Sequence, residues 1–356
     1  MEHQLREIAD RIRTAAELRQ PLRIRGGGSK DWYGRNPVGE ILDTRHLSGI
    51  VDYDPTELVV TVRAGTPLVE LESLLAQHNQ MLAFEPPHFG DGATVGGMVA
   101  AGLSGPRRQA AGAVRDFILG ATIIDGRGQL LHFGGRVMKN VAGYDVSRLM
   151  AGSMGVLGLI VEVSLKVLPR PLTEVTLRLE ADQADAIRRL NLWGGQPLPI
   201  SASVWHDGEL LVRLSGAQSA VRAAGALLGG EAVDDADAIW ESVREHRHRF
   251  FSEQPDKACW RLSVSSIAPQ LDLAGEQLIE WGGALRWLRA APDVSADRIF
   301  AVAREGGGHA TWFRGGVAPQ SVFHPLAPAV AAIHRRLKAN LDPQCIFNPG
   351  RMYDDI

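Results

Sequence analysis

Three consecutive glycines, Gly26–Gly28, follow the strand-like stretch PLRIR and precede Ser29-Lys30. Glycine gives up more backbone entropy on ordering than any other residue, so such a run marks a place where the backbone must turn tightly or approach something closely. Without Cβ atoms, a turn of this kind can present several N–H groups to one phosphate. Ser29 would add a hydroxyl and Lys30 a charge. Alone, the run reads as a surface turn. It is not a Walker loop, because G-x-x-x-x-G-K-[ST] is absent, and it does not open a long helix as the dinucleotide fingerprint G-x-G-x-x-G does.

A second glycine-rich zone, ATVGGMVAAGLSG, changes that reading. Thr94 stands before a helix start crowded with Gly96, Gly97, Ala100, Ala101 and Gly102. Small residues let a ligand lie against the helix end, where N–H groups and the dipole favour an anion. Two anion-suited loops fit a dinucleotide whose pyrophosphate lies between them.

The rest of the chain supplies a scaffold. EILD, GIVDYD and ELVVTVRAG read as strands. TPLVELESLLAQHNQ reads as a helix with Thr66 as N-cap and Pro67 at the first helical position. LGATIID and GQLLHF form a hairpin through Gly126–Gly128. VSRLMAG is helix-like and GLIVEVSLKVLP is a strand. After Pro171 strands and helices alternate: TEVTLRLE, QADAIRRLNLW, ISASVWHDGELLVRLSG, SAVRAAGALLGG, KACWRLSVS and a hairpin at GALRWLRA. This predicts an α+β domain, an antiparallel sheet with helices on one face. REHRHRF reads as a solvated helix face. In the tail, Val330, Ile333 and Leu337 form the apolar stripe of a helix before an extended end. With 356 residues, and roughly 150 per domain as a prior, two domains are expected. The regions expected are 1–170, 171–320 and a C-terminal segment 321–356.

Charge and cysteine usage exclude several classes. A net charge of −3 argues against a nucleic-acid binder or a basic membrane surface. Two cysteines, Cys259 and Cys345, cannot make a disulfide framework or ligate an iron–sulfur cluster. The N-terminus lacks the apolar core of a signal peptide, and no apolar run is long enough to span a membrane. A cytoplasmic setting is expected.

RIRGGGSK, the long stretch from EPPHFGDGATVGG to GSMGVLGLIVEVSLKVLP, the KNVAGYD segment within it, and the terminal FNPGRMY together resemble the vanillyl-alcohol-oxidase, or PCMH-type, FAD-binding superfamily. Within it they are most similar to the FAD-binding E-subunit family of bacterial glycolate oxidases. The resemblance is strong over residues 20–170 and holds in outline beyond. It implies a PCMH-type FAD-binding domain of two α/β subdomains plus an α+β antiparallel-sheet cap domain. It also implies residue roles. Gly26, Gly27, Gly28, Ser29 and Lys30 match the first pyrophosphate loop, and Thr94, Gly96, Gly97 and Gly102 the second flavin-contacting segment. Gly112, Val114 and Asp116 match the stretch near the adenosine and ribityl part, and Gly155, Gly158 and Ile160 the strand beside the adenine. Asn348 lies where the C-terminal segment returns to the flavin. Relatives that tether FAD often carry histidine near the first loop; Ser29 stands there, so non-covalent FAD is expected.

Catalytic relatives carry an H-x-G-D-G-N-x-H-like metal segment in the cap, which this chain lacks; His88 in HFGDG reads as structural and no metal is expected. Oxidising a 2-hydroxy acid needs a base, a hydride acceptor and a cation for the carboxylate. By residue type His309 is the candidate base, and Arg314, with Arg286, Arg289 and Arg304, the candidate clamp. The resemblance implies partners: a larger FAD-containing catalytic subunit and an iron–sulfur subunit, with membrane attachment only through them. Three readings stand open: a glycolate oxidase FAD subunit, a self-sufficient flavoenzyme on another 2-hydroxy acid or alcohol, and a non-catalytic flavin-binding scaffold.

Overall fold

The computed structural model describes residues 2–135 and 145–356; the KNVAGYD segment, up to Tyr144, lies outside the described residues. The chain divides into two compact units. One comprises Met1–Leu103, Ala113–Pro169 and Pro325–Ile356, the other Ser104–Gly112 and Arg170–His324.

In the first unit the helix Glu2–Leu18 buries Ile8, Ile12 and Ala15. They pack on Leu22, Leu42, Leu47 and Phe347, one core cluster. Leu22 belongs to the strand Leu22–Arg25, which pairs in parallel with Glu40–Asp43. On its other side Leu22 bridges Phe347, so the C-terminal segment forms a further short rung beside the strand that enters the triple glycine. Among the described residues, an antiparallel sheet of five strands follows the order Ile50–Asp54, Val59–Arg63, Leu159–Lys166, Ile118–Ile124, Leu130–Gly134. The last two form the hairpin expected around Gly126–Gly128. Its loop is tied by Asp125, whose Oδ1 accepts from the Arg127 and Gln129 N–H groups at 2.9 Å each.

Three local expectations are corrected. The helix Leu68–Gln77 is capped at Pro67, not Thr66. Thr66 Oγ1 instead accepts from Gly49 N at 2.9 Å, which holds the preceding loop. VSRLMAG forms one 3-10 turn, Ser147–Met150. In the C-terminal helix Pro328–Leu341, Val330 and Ile333 are exposed and the buried residue is Lys338. Helical spacing identified an apolar face, but the fold turns the Lys338 face inward. Its Nζ donates to Asp342 Oδ2, Val156 O and Phe347 O, each at 2.8 Å. A charge can be buried when every donor is so engaged.

The second unit is built on an eight-stranded antiparallel sheet, among the described residues, in the order Glu231–Ala232, Thr173–Glu180, Glu209–Gly216, Ile200–His206, Gly275–Glu280, Leu285–Ala290, Cys259–Ser263, His309–Arg314. GALRWLRA supplies one strand of its hairpin; the partner is Gly275–Glu280. Helices Gln183–Gly194 and Gln218–Leu228 pack on one face through Ile187, Leu190, Val221 and Leu228 against Leu177, Leu179 and Val212. The expectation of helices on one face only is corrected, because strand side chains alternate between faces. Thr176, next to Leu177, points to the other face and accepts from Trp240 Nε1 of the helix Ala236–Arg244 at 2.8 Å. REHRHRF is likewise no solvated helix face. It crosses from that helix into Arg249–Ser252, with Phe250 and Phe251 buried and His246 stacked on Phe251 at 4.0 Å.

Candidate functional site

The first unit holds a cavity of about 100 Å³. That is well below the roughly 300–1,000 Å³ of a whole small-molecule pocket, so it suits one charged portion of a ligand. Gly26, Gly27, Gly28, Ser29, Lys30, Thr94, Gly97 and Asn348, drawn from three distant parts of the chain, all line it.

The glycines are set by the approach of the two loops to each other. A Cβ on Gly27 would overlap the Gly92 carbonyl oxygen, one on Gly26 would overlap Thr94 Oγ1, and Gly28 has φ +78°. Only glycine permits this contact. The close packing leaves the backbone N–H groups of Gly26, Gly27, Gly28 and Ser29 without an acceptor among the described residues. Four donors in sequence form a concavity suited to an anion.

The expected anion site at the second loop's helix end is corrected. The helix Val95–Ala101 has seven residues, and its first donors are spent internally. Val95 N reaches Thr66 O at 3.0 Å, Gly96 N reaches Ala64 O at 2.7 Å, and Met98 N reaches Thr94 O at 2.8 Å. Gly97 N donates to Thr94 Oγ1 at 3.2 Å. This helix therefore serves as the floor of the cradle, and the first loop supplies the donors.

Charge converges on the same cavity. Arg23, Arg25, Lys30 and Arg351 line it, with Asp31 as the one carboxylate. Asp31 Oδ2 accepts from Arg23 Nη2 and Arg25 Nε, each at 2.6 Å. Lys30 Nζ donates to His88 O at 3.0 Å. Burial holds the Arg351 guanidinium down to about 10, still cationic at neutral pH, with Asp31 acting against that shift. Four cations against one carboxylate leave a net positive site. Arg23, Arg25, Asp31 and Arg351 were not singled out from the sequence. Arg23 and Arg25 alternate within RIRGGG, the one signal that could have pointed to them.

Asn348 does not offer its side chain to the cavity. Its Oδ1 accepts from Ile24 N at 2.8 Å and its Nδ2 donates to Met154 O at 2.6 Å. It positions the strand that leads into the glycines.

The other residues implied by resemblance do not line this cavity. Gly96 packs on Ala64, where a Cβ would stand 2.6 Å from the Ala64 Cβ. Gly102 ends its helix and lies against Gly152. Gly112 belongs to the second unit. Val114 is buried, and Asp116 Oδ2 caps its own turn by accepting from Ala113 N at 2.8 Å. Gly155 makes room for the Asn348 amide, Gly158 for Ile123, and Ile160 is buried opposite Ile123 in the sheet. His88 Nε2 lies 2.9 Å from Glu72 Oε2.

The catalytic candidates all fall in the second unit, and the structure does not bring them into one site. His309 and Arg314 sit at the two ends of one strand, roughly 16 Å apart along it. Arg314 Nη2 donates to His246 O at 3.4 Å, and burial lowers the guanidinium below its usual range. Arg286 is fully buried and donates to Gly283 O at 2.6 Å and Ala268 O at 2.9 Å. Arg289 is buried against the Phe250 ring, and Arg304 is exposed on the helix Ala296–Glu305. None of the four stands beside His309. On the neighbouring strand, Ser263 stands opposite His309 and Arg261 opposite Thr311.

Comparison with known proteins bears on the same regions. Residues 3–134 match the FAD binding domain family model. The chain is 50% identical over 349 residues to glycolate oxidase subunit GlcE of Escherichia coli (strain K12), covering 98% of this chain and 97% of that protein. It is 32% identical over 183 residues to glycolate oxidase subunit GlcD of Bacillus subtilis (strain 168), covering 51% of this chain and 38% of that one. Among solved structures, an alkyldihydroxyacetonephosphate synthase superposes with a TM-score of 0.65 at 15% identity, over 97% of this chain and 74% of that one, a likeness of fold. Among the described residues, no helix is long and apolar enough to cross a membrane.

Proposed function

The chain belongs to the E-subunit family of glycolate oxidases, FAD-dependent oxidoreductase subunits of the PCMH type, and on that premise we propose that it helps convert glycolate to glyoxylate and passes the electrons to an iron–sulfur partner. The observation that carries this reading is the cradle in the first unit: four backbone donors without acceptors among the described residues, rimmed by Arg23, Arg25, Lys30 and Arg351. These residues fit the pyrophosphate of FAD. Bound FAD would supply the hydride acceptor that side chains lack.

This chain's own residues would hold the cofactor: the N–H groups of Gly26 to Ser29 would donate to its phosphate oxygens, and Arg23, Arg25, Lys30 and Arg351 would balance their charge. Asn348 and Arg351 fix the loop from behind, the latter through Asp31 O at 2.8 Å. Ser29, standing where relatives that tether FAD carry histidine, supports non-covalent FAD. A cluster needs thiolates that the chain does not have: Cys259 is buried, with its thiol pushed up to about 12 by burial, and Cys345 lies in the other unit. Single-electron carriage therefore falls to a partner, alongside a larger FAD-containing subunit. Assembly on the cytoplasmic side, with any membrane attachment through those partners, completes the proposal.

The test is anaerobic glycolate-dependent dye reduction, with glyoxylate measured, by the assembled complex and by the chain alone. Turnover by the complex that disappears when this chain is omitted is expected. Full turnover by the chain alone would contradict the subunit reading and favour a self-sufficient flavoenzyme.

A further inference from the structure

Apart from the flavin cradle, we infer that the first unit carries a second binding site, for a small primary amine in its ammonium form, on one face of its five-stranded sheet around Glu162.

The site starts from an alternation. Along the strand Leu159–Lys166, Val163 and Leu165 are fully buried on one face, while Glu162 and Ser164 take the other. The neighbouring strands make that second face polar. Thr61 stands opposite Ser164, and Thr122 stands opposite both Glu162 and His132. Thr61, Thr122 and Ser164 are buried, at 4%, 7% and 8% exposure. Burying polar groups costs free energy unless they are paired, so three hydroxyls, a carboxylate and an imidazole on one sheet face call for polar partners.

A cavity of about 170 Å³ lies there, lined by Thr61, Thr122, His132, Glu162 and Ser164. Among the described residues it shares none with the cradle. Its floor is glycine: Gly120 stands opposite Gly134, so neither position sends a side chain into the space. A cavity of roughly 150 Å³ admits a benzene-sized molecule, so this one has room for about six heavy atoms.

Proton counting gives the chemistry of the ligand. Thr122 Oγ1 donates to Glu162 Oε1 at 3.1 Å. A hydroxyl has one hydrogen, so in the 2.9 Å contact between Thr122 Oγ1 and His132 Nδ1 the imidazole is the donor. This relay leaves two acceptors at its ends, Nε2 of the neutral ring and Glu162 Oε2. Thr61 Oγ1 and Ser164 Oγ bond to each other at 2.9 Å. Glu162 is the one carboxylate, and among the described residues no lysine or arginine lines the cavity. Arg63, opposite Glu162 in register, lies outside the lining and donates to Ser48 O at 3.1 Å. Lys166, two residues beyond Ser164, also lies outside it. A ligand that brings donors and positive charge complements this set. An ammonium offers three donors and no acceptor, and its bonds to a carboxylate are charge-assisted.

The experiment is calorimetric titration of the full FAD-loaded chain, at fixed ionic strength, with ethanolamine hydrochloride and with ethylene glycol, its uncharged counterpart. Saturable ethanolamine binding is expected, with ethylene glycol at least about tenfold weaker. Glu162→Gln keeps the shape and removes the charge, and should weaken ethanolamine by about tenfold or more. His132→Phe, at an exposed strand position, should weaken it about threefold. Both variants should keep wild-type flavin content, which separates loss of this site from loss of the fold. If Glu162→Gln loses flavin, His132→Phe decides. Glu17→Gln, at an exposed position of the N-terminal helix, should change nothing. A wild-type chain without saturable ethanolamine binding at about 10 mM would overturn the inference. So would ethylene glycol binding equally well, or flavin-loaded variants at Glu162 and His132 that bind ethanolamine as the wild type does. Full competition by equimolar potassium chloride would assign the site to a bare cation and overturn the amine.

Discussion

Asn348 accepts a hydrogen bond from the Ile24 backbone N–H at 2.8 Å, which ties the end of the chain to the strand just before the triple glycine. Its amide also donates to Met154 O, so one side chain joins three segments of the cradle wall. Replacing it with alanine leaves the half-buried Ile24 N–H and the buried Met154 carbonyl without these partners, a cost of about 1–3 kcal/mol each at most. Asn348→Ala is therefore expected to lower the thermal midpoint and to raise the FAD dissociation constant. Flavin-fluorescence titration measures the second effect.

Lys338 and Asp342 form a buried ion pair at 2.8 Å, with Lys338 2% exposed and Asp342 fully buried. Removing one partner leaves an uncompensated charge in the core, which costs about 3–5 kcal/mol. Lys338→Met should destabilise by that order in urea unfolding. Lys338→Met combined with Asp342→Leu should recover part of the loss, because the orphaned carboxylate is then gone.

Stability should fall on mild acidification. Burial, with His206 and Arg249 nearby, lowers the His248 imidazole to about 4, and burial lowers His246 well below its ordinary value. An unfolded histidine titrates near 6.5. Between these values the unfolded chain binds more protons, so stability is full above about pH 6.5 and is lost as pH falls toward about 4. Urea midpoints across that range check the trend, and His248→Phe should flatten it.

How much of this was legible in the sequence depends on the range of each signal. Local signals carried well: the strand into Gly26, the hairpin at Gly126–Gly128, and the helix after Pro67. Gly26 to Gly28 raised the right question, yet their cause lies in Gly92 and Thr94, which no local pattern links to them. The helix end at Val95 looked like an anion site because spacing does not show that Thr66 O and Ala64 O already take its donors. Val330 and Ile333 marked an apolar stripe, but which helix face meets the core is a tertiary decision. Among arginines, residue type alone suggested Arg286, Arg289, Arg304 and Arg314 as a clamp. Strand register, which sequence does not fix, separates them: His309 and Arg314 stand at opposite ends of one strand.

The most direct test of the central claim is the flavin content of the purified chain, read by its visible spectrum before and after acid precipitation, in the wild type and in Gly27→Ala. One FAD per wild-type chain, released into the supernatant by acid, is expected. Gly27→Ala should lose most of it, because the added methyl forces the two loops apart. A wild-type chain with no stoichiometric flavin, or a Gly27→Ala chain that holds FAD as tightly as the wild type, would contradict the account.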